Sequence, residues 1–197
     1  MRLQFRNVIT GYPSLMDTTR RTLRGATTLG MPVVATEQYP KALGHTAQEL
    51  MEVMPPPFPP AGSPPPPVGT SHHRVFEKTL FSMMTPEVDA HMTQNLGHVK
   101  QVLLLGIEAH VCVLQTTLDL LERGMEVHLL VDGISSQKEH DRAVALQRMA
   151  NAGAFLCTSE MALFQLTRDA KAPTFKAISA LAKEPKPQPF MSLRSNL

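Results

Sequence analysis

The feature that most constrains this chain is the alternation of short aliphatic runs with amphipathic stretches. "QVLLLGI" (101–107) and "MEVHLLVDGI" (125–134) are short, nearly continuous apolar runs, as expected of strands buried on both faces. Between them, "HVCVLQTTLDLLERG" (110–124) spaces Val111, Leu114, Leu118 and Leu121 as a helix does, with Gly124 as a stop. "SQKEHDRAVALQRMANAG" (136–153) repeats the pattern with Ala143, Leu146, Ala150 and Gly153, and "AFLCTS" (154–159) comes next as a strand. Upstream, "MPVVAT" (31–36) is another strand, preceded by a predicted helix over 14–30 in which Leu15, Thr19, Leu23 and Ala26 share a face. Ser14 and Asp17 give that helix a capping-box-like start, and Gly30 ends it. "APTFKAISALAKEP" (172–185) predicts one more amphipathic helix before a polar tail, 186–197. Strand–helix–strand alternation at this spacing predicts an α/β fold, a parallel sheet in a three-layer αβα sandwich.

Composition narrows the functions. With 197 residues and 43% hydrophobic content the chain can bury one sizeable core. A net charge of +2, 5% aromatics and no tryptophan give neither a basic field nor a stacking platform, so nucleic acid is not an expected partner. Two cysteines, Cys112 and Cys157, make no disulfide framework and no zinc pattern, which fits a reducing, cytoplasmic setting. No run approaches the roughly 18–20 apolar residues of a membrane span. Residues 1–36 carry five arginines and one acid, Asp17, a composition similar to a mitochondrial transit peptide; the competing reading is that this stretch is the domain's first helix. "PPPFPPAGSPPPPVGT" (55–70) interrupts the alternation and favours extended polyproline II. It reads as a solvated insertion, with a proline-motif-binding partner as the functional alternative.

Cys112 stands where a strand gives way to a helix. Ligands of open parallel sheets bind beyond the carboxyl ends of strands, and the first turn of a helix favours a thiolate and an oxyanion. "GIEAHVCVLQTTLDLLERGMEVHLLVDG" resembles the nucleophile segment of the isochorismatase-like cysteine hydrolases, and "VVATEQYPKALG", "EKTLFSM" and "GAFLCTSEMALFQL" resemble landmarks of one of its subgroups. The resemblance runs from residue 1 to about residue 185, apart from the proline insertion, and defines one expected domain over 1–185.

The resemblance implies a Rossmann-like sheet with strand order 3-2-1-4-5-6 and a catalytic aspartate, lysine and cysteine. Cys112 takes the nucleophile's place and Lys78, in "FEKTLFSM", the cation's. A cis peptide before the nucleophile turn corresponds to Ile107–Glu108, and Ile107, Glu108 and Ala109 become expected substrate-binding residues. The aspartate has no counterpart: "MRLQFRNVITGYP" matches the family segment just downstream of that acid, with Phe5 in place of the family's phenylalanine and Arg2 in place of its glutamine. Asp17 belongs to the predicted helix and Asp132 to another loop. The missing segment has two expected consequences. A missing base costs about 10²–10⁴-fold in rate, and the strands near 32–36 and 101–107 lack their shared central neighbour. A truncated isoform or incomplete gene model is the corresponding expectation.

Other candidates are weaker. His110, two residues before Cys112, points away from it on a helix, so a Cys–His dyad is not expected. His72 and His73 have no metal spacing. Relatives with nicotinamidase activity hold a divalent metal through an aspartate and histidines; no such group is seen here, so neither metal nor cofactor is expected. Cys157 lies within a predicted strand and reads as core. The functional expectation is cysteine-dependent hydrolysis of a small amide- or ester-like substrate, weakened by the absent acid. The alternatives are a non-catalytic binding protein and the ribonuclease activity that some relatives are labelled with. A homo-oligomer is expected from the family's habit of assembly.

Overall fold

A computed structural model of the chain describes residues 5–60, 63–64, 66–67 and 69–187. Among these residues two parallel sheets form. β1 (Val33–Gln38) pairs with β2 (His73–Lys78) in register from Val33 opposite His73 to Gln38 opposite Lys78. β3 (Gln101–Ile107), β4 (Glu126–Ser135) and β5 (Phe155–Cys157) form the second sheet in that order. The helices are α1 (Tyr12–Thr28), the short α2 (Pro40–Leu43) and α3 (Gln48–Met51), α4 (Pro86–Leu96), α5 (Leu114–Glu122), α6 (Glu139–Asn151), α7 (Ser159–Thr167) and α8 (Phe175–Lys183). A π-helical turn, Ala109–Val113, precedes α5.

Strand β4 shows why the layers form. Its side chains alternate between two faces. Val127, Leu129 and Val131 enter a core with Val88 of α4, Leu120 of α5 and Leu146 and Met149 of α6. Leu130 points the other way, to Cys157 and Ala162 of α7. Helix α1 lies on this second side, against β4, α7 and α8. Its buried stripe is the predicted one, Leu15, Thr19, Leu23 and Ala26; each fully buried leucine contributes roughly 1.5–3 kcal/mol. Gly25 permits the close approach of α7, since a Cβ there would stand 2.4 Å from Leu163 Cδ2. Tyr12–Thr28 thus form a helix packed within the domain. No described helix is long and apolar enough to cross a membrane.

Several local expectations are corrected. Helix α1 starts at Tyr12 behind Gly11, with proline in its first turn and no side-chain cap. Pro13 fixes the helical φ there, so Ser14 is already inside the helix. Asp17 instead pairs with Arg21 (2.7 Å) and Arg20 (3.5 Å). In α6 the buried face is Arg142, Ala145, Leu146 and Met149, and Ala143 is exposed. In α5 the deepest residues are Val113, Thr116, Thr117 and Leu120 rather than the Val111–Leu121 stripe. The π-turn inserts a residue and rotates the frame. Thr116 and Thr117 go inside because their hydroxyls bond the carbonyls of Cys112 and Val113 (2.6 and 2.8 Å). Strand β5 has three residues instead of six, because the Thr158 side chain already accepts from Met161 N as the N-cap of α7.

The proline insertion is not wholly solvated. Pro57 forms a parallel bridge with His73, Phe58 N donates to His73 O (2.7 Å), and His73 N donates to Pro56 O (2.9 Å). Pro55 is buried, and the Phe58 ring meets His91 edge-on at 4.9 Å. The start of the insertion therefore shields the outer edge of β2, a position where missing proline donors cost little.

Between β1 and β3 no backbone ladder forms among the described residues. Both strands are largely half-buried, whereas β4, paired on both sides, is mostly buried. Val33 of β1 and Ile107 of β3 nonetheless pack on one α1 cluster with Leu15 and Tyr12. Side-chain packing on a shared helix carries what the ladder does not.

Candidate active site

The carboxyl ends of β1, β2 and β3 meet in a small polar group. Lys78, the last residue of β2, is only 7% exposed. Its Nζ donates to Gln38 Oε1 (2.6 Å), Leu80 O (2.7 Å) and Phe81 O (2.7 Å), and stands 3.9 Å from Cys112 Sγ. Gln38 is the register partner of Lys78 on β1, and its Nε2 donates to Thr79 O (2.5 Å). The amide is fixed at both ends and holds the ammonium in place.

Cys112 is half-buried in the π-turn. Thr116 Oγ1 donates to Cys112 O and accepts from Met83 N (2.9 Å), so one hydroxyl ties the segment after Lys78 to the cysteine turn. Before the turn, Gly106 has φ 140°, a conformation open to glycine, and the Ile107–Glu108 bond is cis, as the resemblance implies. The Glu108 carboxylate accepts from Gln137 N (3.0 Å) and Nε2 (3.3 Å) and so holds the turn to the loop after β4. The Ala109 side chain is fully buried and Ile107 packs toward α1. Of the three expected substrate-binding residues, only Glu108 places a polar side chain near the surface of this turn.

The other candidates separate from the sulfur. His110 Nδ1 bonds Ser136 Oγ (3.0 Å), not Cys112. Among the described residues Lys78 is the hydrogen-bond partner of Cys112 Sγ. Asp132 accepts from Ser159 N (2.7 Å) and Ser159 Oγ (2.5 Å) and anchors the start of α7. Cys157 is buried, and its thiol is pushed up to about 11 by burial and then by the Asp132 charge. No cluster of three or more His, Cys, Asp or Glu side chains is placed to hold a metal among the described residues.

Glu37, preceding Gln38, is buried and braces the loop beside the site. Its carboxylate accepts from Thr46 N (2.6 Å) and contacts His45 Nδ1 (2.7 Å). Burial alone raises such a group, but the Thr46 and His45 hydrogen bonds outweigh it and hold the carboxyl below the ordinary 4.5. A depressed carboxyl stabilises the fold above its unfolded pKa and loses that contribution as pH falls through the folded value. The hydrogen-exchange protection factor of the Thr46 amide is therefore expected to fall on acidification below about 4.5, ahead of Leu129 in the core. Equal protection at both sites across that range would contradict the role given to Glu37.

Against known proteins, residues 4–161 match the isochorismatase domain. The chain belongs to the isochorismatase family. Human isochorismatase domain-containing protein 2 is 43% identical over 187 residues, covering 95% of this chain and 82% of that one. Isochorismatase family protein 1B of Dictyostelium discoideum is 41% identical over 181 residues, covering 92% and 82%. Among solved structures, the MAR1 ribonuclease of Caenorhabditis elegans superposes with a TM-score of 0.84 at 38% identity, covering 100% of this chain and 92% of that one. The α/β architecture with parallel strands is thus that of the isochorismatase fold.

Gln38 is a site residue without a strong signal in the sequence. The signal is modest: a polar pair, Glu37–Gln38, directly succeeds a strand predicted to end at Thr36. A polar residue at a strand's carboxyl end faces the site in folds of this kind.

Proposed function

We propose that this isochorismatase-family domain is built for cysteine-dependent hydrolysis of a small amide- or ester-like molecule. The observation that supports this reading is the 3.9 Å approach of the Lys78 ammonium to Cys112 Sγ at the carboxyl ends of parallel strands. Sγ attacks the carbonyl carbon and forms a C–S bond. The tetrahedral oxyanion faces the amides of the π-turn, with the ammonium beside the sulfur. Collapse breaks the C–N or C–O bond, the leaving group takes up a proton, and water then hydrolyses the thioester.

The thiol proton must leave before attack, and among the described residues no carboxylate bonds Sγ. Turnover by these 197 residues is therefore expected to be slow, by about the 10²–10⁴-fold that a general base supplies. The test is a panel of uncharged amides and esters assayed with the chain, with Cys112→Ala, and with the chain preceded by an aliphatic strand ending in aspartate. Support is Cys112-dependent product that rises at least 100-fold with the added strand. A well-folded extended chain without Cys112-dependent turnover would overturn the reading.

A ribonuclease reading is favoured by one observation, the likeness to a structure named MAR1 ribonuclease. The net charge of +2 gives it little electrostatic support. RNA binding that weakens steeply with salt would sustain it; binding insensitive to salt, or none, would not. Self-association belongs to the same proposal: Phe155, Met161, Phe164 and Leu166 are exposed around β5 and α7, and light scattering is expected to give a mass above one chain.

A further inference from the structure

Lys78 and Cys112 come from different sheets. Lys78 ends β2 of the two-stranded sheet, Cys112 follows β3 of the three-stranded one, and no ladder joins the two among the described residues. Strand pairing therefore does not fix the distance from ammonium to sulfur. Phe76 and Met83 pack against the core that holds Val113, but apolar contact of this kind is not directional. A side-chain separation of 3.9 Å calls for a directional link as well.

Thr116 supplies one. It lies on α5, four residues after Cys112, and is 1% exposed. A threonine hydroxyl has one proton to donate and lone pairs with which to accept. The proton goes back to Cys112 O (2.6 Å), an ordinary bond for a threonine within a helix. The oxygen accepts from Met83 N (2.9 Å), 33 residues away in sequence. These roles are forced, since a carbonyl only accepts and an amide N–H only donates. Met83 follows the segment whose Leu80 and Phe81 carbonyls hold the Lys78 ammonium, at 2.7 Å each. A ring results. It runs from Lys78 Nζ to Phe81 O, along the chain to Met83 N, through Thr116 Oγ1 to Cys112 O, and from Cys112 Sγ back to Nζ. Every hydrogen bond in it is short except the last, on which the proposed chemistry depends.

Thr117 shows what the second bond adds. It too is buried, and its hydroxyl donates four residues back, to Val113 O (2.8 Å). That bond stays within its own helical segment. Two adjacent buried threonines thus share the local bond, and Thr116 carries in addition the link to the segment after Lys78.

We propose that Thr116 is a positioning residue for the Lys78–Cys112 pair: its hydroxyl, bonded to neither the sulfur nor the ammonium, fixes the distance between them. The proposal rests on the ammonium acting on the sulfur and adds what holds the two in place.

The rate of Cys112 alkylation by iodoacetamide at pH 7 tests both parts. Sγ displaces iodide from the CH₂ carbon, a C–S bond forms, and the thiol proton passes to solvent. Thr116→Val keeps the shape of the side chain, removes the hydroxyl, and is expected to slow alkylation about tenfold. Thr116→Ser keeps the hydroxyl and Thr117→Val loses only the local bond, so both are expected to stay within about twofold of the native rate. In a chain already carrying Lys78→Met, Thr116→Val is expected to add less than about twofold, because no ammonium is left to place. A purely structural role would slow both backgrounds alike. A native rate in Thr116→Val, an equal loss in Thr116→Ser or Thr117→Val, or the full loss retained without Lys78 overturns the positioning role; the slow alkylation of Lys78→Met then still upholds the ammonium–sulfur reading. A native rate in Lys78→Met overturns that reading, and the positioning role with it. Should Thr116→Val not fold, hydrogen exchange of the Met83 amide in the native chain decides. Slow exchange supports the anchor, and exchange as fast as in an unfolded chain overturns it.

Discussion

Replacing Arg142 by methionine is expected to lower the unfolding free energy by about 3–5 kcal/mol. Arg142 is 2% exposed on α6, yet its Nε donates to Ile134 O (2.8 Å) and its Nη2 to Val131 O (2.6 Å). Those carbonyls flank the irregular part of β4, where the register with β3 jumps from Leu104–Leu129 to Gly106–Ile134. The guanidinium serves acceptors at that irregularity, and Nη1 reaches Glu139 Oε1 (3.2 Å). Burial pulls the arginine down, opposed by the Glu139 and Asp132 charges, and a guanidinium stays charged. Methionine fills similar volume but leaves buried carbonyls without a donor, each such loss costing about 1–3 kcal/mol. Urea unfolding measures the effect, with Arg142→Lys recovering part of it. A loss below about 1 kcal/mol would contradict this account of β4. The consequence reaches the site, because Ser135 and Ser136 at the end of β4 bond Thr10 and His110, and Gln137 bonds Glu108.

Lys78→Met is expected to slow alkylation of Cys112 by iodoacetamide at pH 7 about 100-fold. At about 4 Å, two unit charges interact by about 4 kcal/mol near a protein surface. The half-exposed sulfur is screened by water, so the effect read in the rate is smaller than the full contact energy. Gln38→Met keeps the ammonium but removes the acceptor that aims it, so its effect is expected to be smaller, about tenfold. Cys157 in the same sample serves as the internal control. Native rates in both variants would mean that the ammonium does not act on the sulfur.

Much of the layer structure is legible in the sequence because its strands are buried on both faces and read as continuous aliphatic runs. "QVLLLGI" coincides with β3, and "MEVHLLVDGI" is shifted from β4 by one residue. β2 is different: His73, Arg74, Glu77 and Lys78 break any apolar run because the strand lies at the edge, covered by Pro55 and Phe58. Helix α7 is hidden by the opposite problem, with apolar Met161, Leu163, Phe164 and Leu166 on more than one side, so no stripe marks its inner face. The displaced face of α5 comes from a π-turn that periodicity cannot register.

The site divides along the same line. Cys112 is marked by its place after a buried strand, which is a local signal. Lys78 enters by resemblance alone, since nothing local separates it from an ordinary lysine beside Glu77. Its pairing with Gln38 depends on the β1–β2 register, a contact across 40 residues of sequence. The Glu108–Gln137 brace depends likewise on the β3–β4 pairing.

The central claim, that Cys112 is a reactive thiol and Cys157 a core one, has a direct measurement. The folded chain is treated with iodoacetamide at pH 7 for graded times, and the two cysteine peptides are quantified by mass spectrometry. Cys112 is expected to be alkylated at least 100-fold faster than Cys157, whose buried thiol is pushed up to about 11. Comparable rates at the two cysteines, or faster loss of Cys157 from a chain that is still folded, would contradict the account.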